Sequence, residues 1–252
     1  MEALEAVAIG AAGVVAGGMN AVVGSGTLIT FPTLLAFGYP PVVANVSNNI
    51  GLVPGSISAA YGYRRELRGQ RRRVLRFALA SLIGGLTGAL LLLKLPASAF
   101  DAVLPVLILT ACVLVILQPR LNRWLSGRKD GPRHQDGGLP VWCGILGTGV
   151  YGGYFGAAQG VLMMAIFGVF LDEDLQRLNA VKNVLGSVVN GVAAVVFIVV
   201  ADVSWTAAAV VASGAIVGGL IGARVGRKLP PTVLRGVIVT IGITASVVVI
   251  VR

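Results

Sequence analysis

Long apolar segments separated by short polar loops dominate the pattern along this chain of 252 residues. Several uncharged stretches are about 18–22 residues long, which is enough for a helix to cross a lipid bilayer. Two apolar segments are longer, residues 5–37 and 140–171. The pattern predicts an all-α polytopic membrane protein, with candidate spans at roughly 42–62, 74–93, 102–118, 179–201, 204–223 and 236–251.

The second half of the chain repeats the first at a constant offset of 134 residues. Glycines, an asparagine pair and a Lys-Leu-Pro motif all recur in this register, which indicates duplication of one membrane unit. The matches include Gly10 with Gly144, Gly18 with Gly152, Gly26 with Gly160, Asn45 with Asn179, Asn49 with Asn183, and Lys94 with Lys228. We predict a first repeat at 1–118, a linker at 119–139 and a second repeat at 140–252.

Each of the two longer segments contains a glycine-rich interruption at the same place in its repeat. Residues 21–27 interrupt the first segment and residues 155–160 interrupt the second. Glycine in a helix interior costs roughly 1 kcal/mol relative to alanine, so we expect the helices to break there. The first break is followed by an arm of only about eleven residues, ending near Phe37. Short, interrupted apolar segments at matching positions of two halves point to the binding site of a transporter.

The net charge of +10 comes from arginines and lysines that are concentrated in three loops. Such clustering is typical of the cytoplasmic loops of a membrane protein, whereas a nucleic-acid-binding protein would need a folded basic surface. We therefore expect no nucleic-acid partner and a location in the cell (inner) membrane. The loops contain Arg64, Arg65, Arg68, Arg71, Arg72, Arg73 and Arg76; Arg120, Arg123, Arg128, Lys129 and Arg133; and Arg224, Arg227, Lys228 and Arg235.

All three basic loops can be cytoplasmic only if segment 140–171 enters and leaves the membrane on the same side, as a hairpin. The repeat then imposes a hairpin on 5–37 as well, with the N-terminus outside. Each half becomes a broken-helix hairpin plus three transmembrane helices. Because that is an odd number of crossings, the two halves are predicted to be inverted-topology repeats.

The two breaks supply the first candidate binding residues. The start of a half-helix exposes backbone N–H groups at the positive end of its dipole, and two such ends together would form an anion cradle. Side-chain donors lie at the same places, and the candidates are Ser25, Gly26, Thr27, Gln159 and Gly160. The alternative is that the glycines only allow helices to pack closely and that the breaks are ordinary kinks.

An asparagine pair follows each hairpin, and the members of a pair are four residues apart on one helix face. We expect these amides to line the substrate path, although interhelical hydrogen bonding is the alternative, and we prefer that alternative for Asn190. The candidates are Asn45, Asn48 and Asn49 in the first half and Asn179, Lys182 and Asn183 in the second.

Lys182 is the basic residue best placed to act inside the membrane. An ionisable group in a span is costly unless it has a partner or a function. A bound anion is one candidate partner. The alternatives are that Lys182 snorkels to the headgroups or pairs with the acidic residues Asp172, Glu173 and Asp174.

Several kinds of function are disfavoured by residues that are missing from the spans. The ten acidic residues lie at the termini, in loops or at span ends, so a relay of buried carboxylates has no members. The single histidine, His134, lies in the central loop, and no nucleotide-binding or metalloprotease motif is present. We therefore expect neither an enzyme nor a cofactor or metal site.

Three motifs resemble the TauE/SafE family of sulfite and organosulfonate exporters. They are GSGTLITFP at 24–32, GVYGGYFGAAQG at 149–160 and LNAVKN at 178–183. The resemblance covers essentially the whole chain. It implies a permease for small sulfur-containing anions such as sulfite, sulfoacetate or a related sulfonate.

The function that we predict is secondary transport of such an anion through a mid-membrane site between the two repeats. Two alternatives belong to other classes, a passive anion channel and a non-transporting membrane scaffold. An intramembrane enzyme ranks third. The direction of transport, the coupling ion and the oligomeric state are left open by the residues.

Overall fold

The computed structural model describes residues 2–127 and 137–225, and in these ranges the chain is helical with short connections. The predicted span 236–251 and the basic residues Arg227, Lys228 and Arg235 lie outside them. The described helices are α1 (Ala3–Val22), α2 (Thr27–Ala36), α3 (Pro41–Gly62), α4 (Arg71–Lys94), α5 (Ala97–Gly127), α6 (Gly138–Tyr154), α7 (Gln159–Phe170), α8 (Leu175–Val200) and α9 (Trp205–Val225).

Most helix positions agree with the apolar pattern, and five helices (α1, α4, α5, α8 and α9) are long and apolar enough to cross a bilayer. Helix α3 has 22 residues, but polar side chains near its start lower its hydropathy. Helix α5 is longer than the predicted span, since it begins at Ala97 and continues to Gly127. The segment 119–127, which we assigned to the linker, is therefore helical.

Both long segments are broken where the glycines predicted it. Helix α1 ends at Val22 and α2 begins at Thr27, while α6 ends at Tyr154 and α7 begins at Gln159. Gly24 and Gly156 adopt left-handed backbone angles, with φ of +83° and +81°. Glycine adopts such angles at no steric cost, so it ends the helix and turns the chain. At about 1.5 Å per residue, α1 is roughly 30 Å long and α2 roughly 15 Å, so the first hairpin has one long and one short arm.

Helices of one half pack mainly on helices of the other half, through glycine faces. A Cβ atom at Gly13 of α1 would lie 2.8 Å from the carbonyl oxygen of Val211 in α9. Farther along both helices, Gly18 faces Gly218. The contact positions increase together along the two helices, so α1 and α9 run in the same direction. Small residues let the helix backbones approach this closely.

The repeat relates α1 to α6 and α9 to α4, and the pair of α4 with α6, again one helix from each half, packs in the same way. A Cβ at Gly84 would lie 2.9 Å from the Cα of Gly149, and one at Gly88 would lie 2.8 Å from the backbone nitrogen of Tyr154. These helices are therefore also parallel to each other. An ion pair of 2.9 Å joins Arg73, in the first turn of α4, to Glu173 in the connection between α7 and α8.

Candidate functional site

The break of the first hairpin touches the start of α7, the short arm of the second hairpin. The backbone N–H of Gly160 donates to the carbonyl oxygen of Gly24 over 3.1 Å. A Cβ at Gly160 would lie only 2.6 Å from the Cα of Gly24. The two glycine-rich interruptions therefore meet, and this contact leaves no room for a side chain at either glycine.

Two backbone N–H groups that we expected to be free for an anion have protein partners. The N–H of Gly26 donates to Oδ1 of Asn20 over 2.7 Å. The N–H of Gly160 is occupied by Gly24, as described above. These two N–H groups are therefore bonded within the protein, to Asn20 and to Gly24 of the other hairpin, while the anion cradle stays a prediction. An anion here would have to be bound mainly by side chains.

The carbonyl end of α1 is the meeting point for three donors from α8. Nδ2 of Asn179 and Nδ2 of Asn183 each donate to the carbonyl oxygen of Ala21 over 3.1 Å. Nζ of Lys182 donates to the carbonyl oxygen of Asn20 over 3.1 Å and lies 3.5 Å from that of Ala21. The last carbonyls of a helix lack partners within the helix and carry the negative end of its dipole, so these donors stabilise the broken end.

A related contact occurs at the matching position of the other half. Nδ2 of Asn45 donates to the carbonyl oxygen of Tyr154 over 3.0 Å. Asn45 corresponds to Asn179 in the repeat, and Tyr154 ends α6 as Ala21 lies near the end of α1. In each half, therefore, the first asparagine of the pair holds the end of the broken helix of the opposite half.

Lys182 is buried, with 2% of its surface exposed. Snorkelling to the headgroups does not fit, because its ammonium group faces the end of α1 inside the protein. Two of the acidic residues that we considered as partners are engaged elsewhere. Glu173 pairs with Arg73 and Arg177, and Asp174 caps the start of α8.

A small cavity of about 30 Å³ opens beside the contact between the two hairpins, with room for one or two water molecules. Five of the predicted site residues line it: Thr27, Gln159, Gly160, Lys182 and Asn183. The remaining lining residues are Asn20, Gly24, Ser56, Gly156, Met163, Gly186 and Asn190. Among all the lining residues, Lys182 is the single one with a charged side chain.

The other predicted site residues are buried close by but do not line the cavity. Asn48 accepts a hydrogen bond from the hydroxyl of Thr30 and donates one to the hydroxyl of Thr27, so it joins α3 to the short arm α2. In this group of described residues, the buried side-chain atoms without a hydrogen-bond partner are Oγ of Ser25, Oδ1 of Asn49 and Oδ1 of Asn179. The set outside the cavity is Ser25, Gly26, Asn45, Asn48, Asn49 and Asn179.

Several lining residues were missed by the sequence reasoning. Ser56 and Asn190 are related by the repeat offset, and they contact each other across the interface of α3 and α8 over 3.5 Å. The offset could have paired them, but we assigned Asn190 to helix packing. Asn20 gave no signal, since its role depends on how the chain turns back after α1.

A comparison with protein families identifies the chain. Residues 9–249 match the model of the family described as sulfite exporter TauE/SafE. The chain belongs to this family. The probable membrane transporter protein YfcA of Escherichia coli (strain K12) is 31% identical over 216 residues, covering 85% of this chain and 76% of that protein.

Two further relatives of this TauE/SafE protein are also named probable membrane transporters. A probable membrane transporter protein of Haemophilus influenzae is 27% identical over 227 residues. This alignment covers 90% of this chain and 87% of that protein. The probable membrane transporter protein ORF9 of a Sinorhizobium species is 26% identical over 235 residues. This alignment covers 92% of this chain and 87% of that protein. No solved structure matches the chain. The family and the apolar helices together make this a multi-pass membrane transporter with a small-molecule substrate.

In this TauE/SafE transporter, the most informative residue of the cavity wall besides Lys182 is Gln159, because of its amide nitrogen Nε2. The side chain is 5% exposed and lines the cavity, and this buried nitrogen has no hydrogen-bond partner among the described residues. A buried donor without a partner costs about 1–3 kcal/mol. Gln159 thus combines a place in the cavity wall with a buried amide nitrogen that is unpaired within the described residues.

Proposed function

We propose that the protein is a secondary transporter of small sulfur-containing anions, such as sulfite or an organosulfonate, which bind where the two hairpins meet, in a cavity that widens beyond its present volume of about 30 Å³ to admit them. One observation carries this proposal. The residues that line the cavity include one cation, Lys182, and Gln159, whose amide nitrogen has no partner within the described ranges, and no carboxylate is among them. Such a surface favours an anion with several acceptor oxygens over a cationic or apolar substrate.

The relative directions of the helices support the inverted repeat that alternating access needs. Helices α1 and α3 both run parallel to α9, since Gly13 and Gly51 each contact Val211 while Gly17 and Gly55 each contact Ala215. Helix α3 is joined to α4 by compact turns at 63–70, so α4 returns in the opposite direction. Because α6 is parallel to α4, it is antiparallel to α1, which is its counterpart in the repeat.

This arrangement fits transport across the inner membrane, with the basic loops in the cytoplasm. The loop at 63–70 and the start of α4 carry seven arginines, and the positive-inside rule places them on the cytoplasmic side. The cavity then lies between elements of the two halves. Rocking of one half against the other would expose it to each side in turn.

The first test is a thermal-shift screen of the purified protein against sulfite, sulfate, thiosulfate, taurine, sulfoacetate and acetate. A ligand stabilises the state that it binds, so we expect a sulfur oxyanion or sulfonate to raise the melting temperature and acetate to leave it unchanged. The stabilising anion is then assayed for uptake into proteoliposomes. Stabilisation by none of the sulfur anions, with no uptake of any of them, would overturn the proposal. Uptake that does not saturate would indicate a channel.

A matched pair of glycines on α8 tests the position of the site. Gly186 lines the cavity and Gly191 does not, while a Cβ at either position meets no atom within 4 Å. Neither substitution should disturb packing. A methyl group in a small substrate pocket commonly changes discrimination by roughly tenfold or more. We expect Gly186→Ala to reduce uptake about tenfold and Gly191→Ala to leave it unchanged. Equal uptake by both variants would place the substrate elsewhere.

A further inference from the structure

The broken end of α1 has the character of a cation site. Its last turn presents the carbonyl oxygens of Asn20 and Ala21 inside the protein, at the negative end of the helix dipole. In transporters with broken helices, such carbonyl ends coordinate the coupling ion, a sodium ion or a proton. In this protein the position beside both carbonyls is occupied by the ammonium group of Lys182.

No carboxylate serves as the counter-ion of Lys182 in the described part of the chain. Helix α8 packs against α1, α3, α4, α6 and α7. The described part of these five helices contains one acidic residue, Glu5, in the first turn of α1. Its carboxylate accepts a hydrogen bond from the hydroxyl of Tyr39. The basic residues of α4 lie at its two ends, and α7 contains no titratable side chain.

Tyrosines and a cysteine are the remaining titratable groups on those helices. Tyr151 of α6 donates its hydroxyl proton to the carbonyl oxygen of Ala157 over 2.6 Å. Tyr154 packs its ring against Phe100. Tyr61 of α3 and Cys143 of α6 are exposed. Lys182 is therefore the single charged group at this carbonyl end, and its neighbours there are amides and backbone.

The two halves differ at this position. The repeat equivalent of Lys182 is Asn48, which binds Thr27 and Thr30 instead of a helix end. At the end of the broken helix of the second half, the carbonyl oxygen of Tyr154 accepts a hydrogen bond from the neutral amide of Asn45. A helix end that needed only hydrogen-bond donors can thus be held by an asparagine. The lysine adds a charge that can be gained and lost.

We propose that the ammonium group of Lys182 takes the place of a coupling ion at this helix end, so that one proton crosses the membrane with each anion. The step is R–NH₃⁺ → R–NH₂ + H⁺, with the proton released to water on the side where the anion leaves and regained from the side where the next anion enters. Lys182 also lines the anion cavity. Anion binding and protonation therefore favour each other, since coupling between two sites is reciprocal. Anion and proton then travel in the same direction. This inference rests on the function proposed above.

The test uses methanesulfonate and isethionate first, because a sulfonate stays ionised and carries no proton of its own. Sulfite is used if it is the anion that the protein transports. Wild-type proteoliposomes are given an acidic exterior, and anion uptake is measured together with internal pH by an entrapped dye. We expect a gradient of about one pH unit to drive roughly tenfold accumulation, with acidification of the interior and no requirement for sodium.

Lys182→Arg is the decisive variant, because arginine keeps the positive charge and is not deprotonated in proteins. We expect it to exchange labelled anion across the membrane but to lose accumulation driven by the pH gradient. Lys182→Gln should bind the anion about tenfold more weakly, with an affinity that no longer falls as the pH rises. A purely structural role would leave the pH response of Lys182→Arg intact, and that result would overturn the inference.

The wild-type protein decides the question even if both variants fail to fold. Uptake that ignores the pH gradient, or that is driven by sodium, would overturn the proton-coupling inference and leave the transport function standing. Transport of none of the anions would overturn both.

Discussion

Substitution of Gly160 by alanine probes the contact on which the candidate site is built. The new methyl carbon would lie 2.6 Å from the Cα of Gly24 and 3.0 Å from Cδ of Lys182. Carbon atoms in contact are ordinarily about 3.5–4.0 Å apart, so the two hairpins must separate by about 1 Å. That movement would stretch the hydrogen bond from Gly160 to Gly24, now 3.1 Å, beyond useful length.

The expected loss of stability follows from these two effects. Overpacking in a tight contact costs about 1–3 kcal/mol, and a lost hydrogen bond costs about 0.5–1.5 kcal/mol. Replacing glycine in a helix returns up to about 1 kcal/mol. We therefore expect Gly160→Ala to lower the free energy of unfolding by about 2 kcal/mol, and to reduce anion uptake as well.

Gly147→Ala provides the control, because Gly147 lies in α6 of the same half and a Cβ there meets no atom within 4 Å. Its free energy of unfolding should be unchanged or up to about 1 kcal/mol higher. The measurement is reversible unfolding in mixed micelles, with helix content followed by circular dichroism. Equal stability of the two variants would show that the hairpins do not touch at Gly24 and Gly160, and the reasoning about the site would fail with it.

Two further predictions concern single residues. Ala158 adopts a left-handed φ of 59°, and its repeat equivalent is Gly24. Ala158→Gly should therefore raise the free energy of unfolding by about 1 kcal/mol, because a side chain strains the backbone at this angle. A lower free energy of unfolding would show that Ala158 is not strained. Burial tends to raise the pKa of Glu173, but the hydrogen bond from Arg73 and the charge of Arg177 lower it overall. A lowered pKa in the folded state gives stability that is present above the ordinary value of 4.5 and is lost as the pH falls below it. Glu173→Gln should remove that part of the acid dependence in thermal unfolding and cost up to about 1 kcal/mol at neutral pH; an unchanged acid profile would show that the ion pair does not contribute.

The local features of the fold could be predicted from the sequence. Apolar length and loop charge identified the membrane helices, because hydropathy is a property of each segment by itself. Glycines at 24 and 156 marked the helix breaks, since a missing side chain permits backbone angles that other residues avoid. The extension of α5 to Gly127 was missed, because charged and polar residues can continue a helix beyond the lipid.

The partners of the site residues were decided by the tertiary structure. Spacing placed Asn179 and Asn183 on one helix face, yet nothing in the local sequence showed that this face meets the carbonyl of Ala21, which belongs to the other half. The same packing occupied the N–H groups of Gly26 and Gly160 and directed Lys182 to the end of α1. Segments more than a hundred residues apart come together only when the glycine faces of the two halves pack, and that packing determines which polar groups are paired and which remain for a ligand.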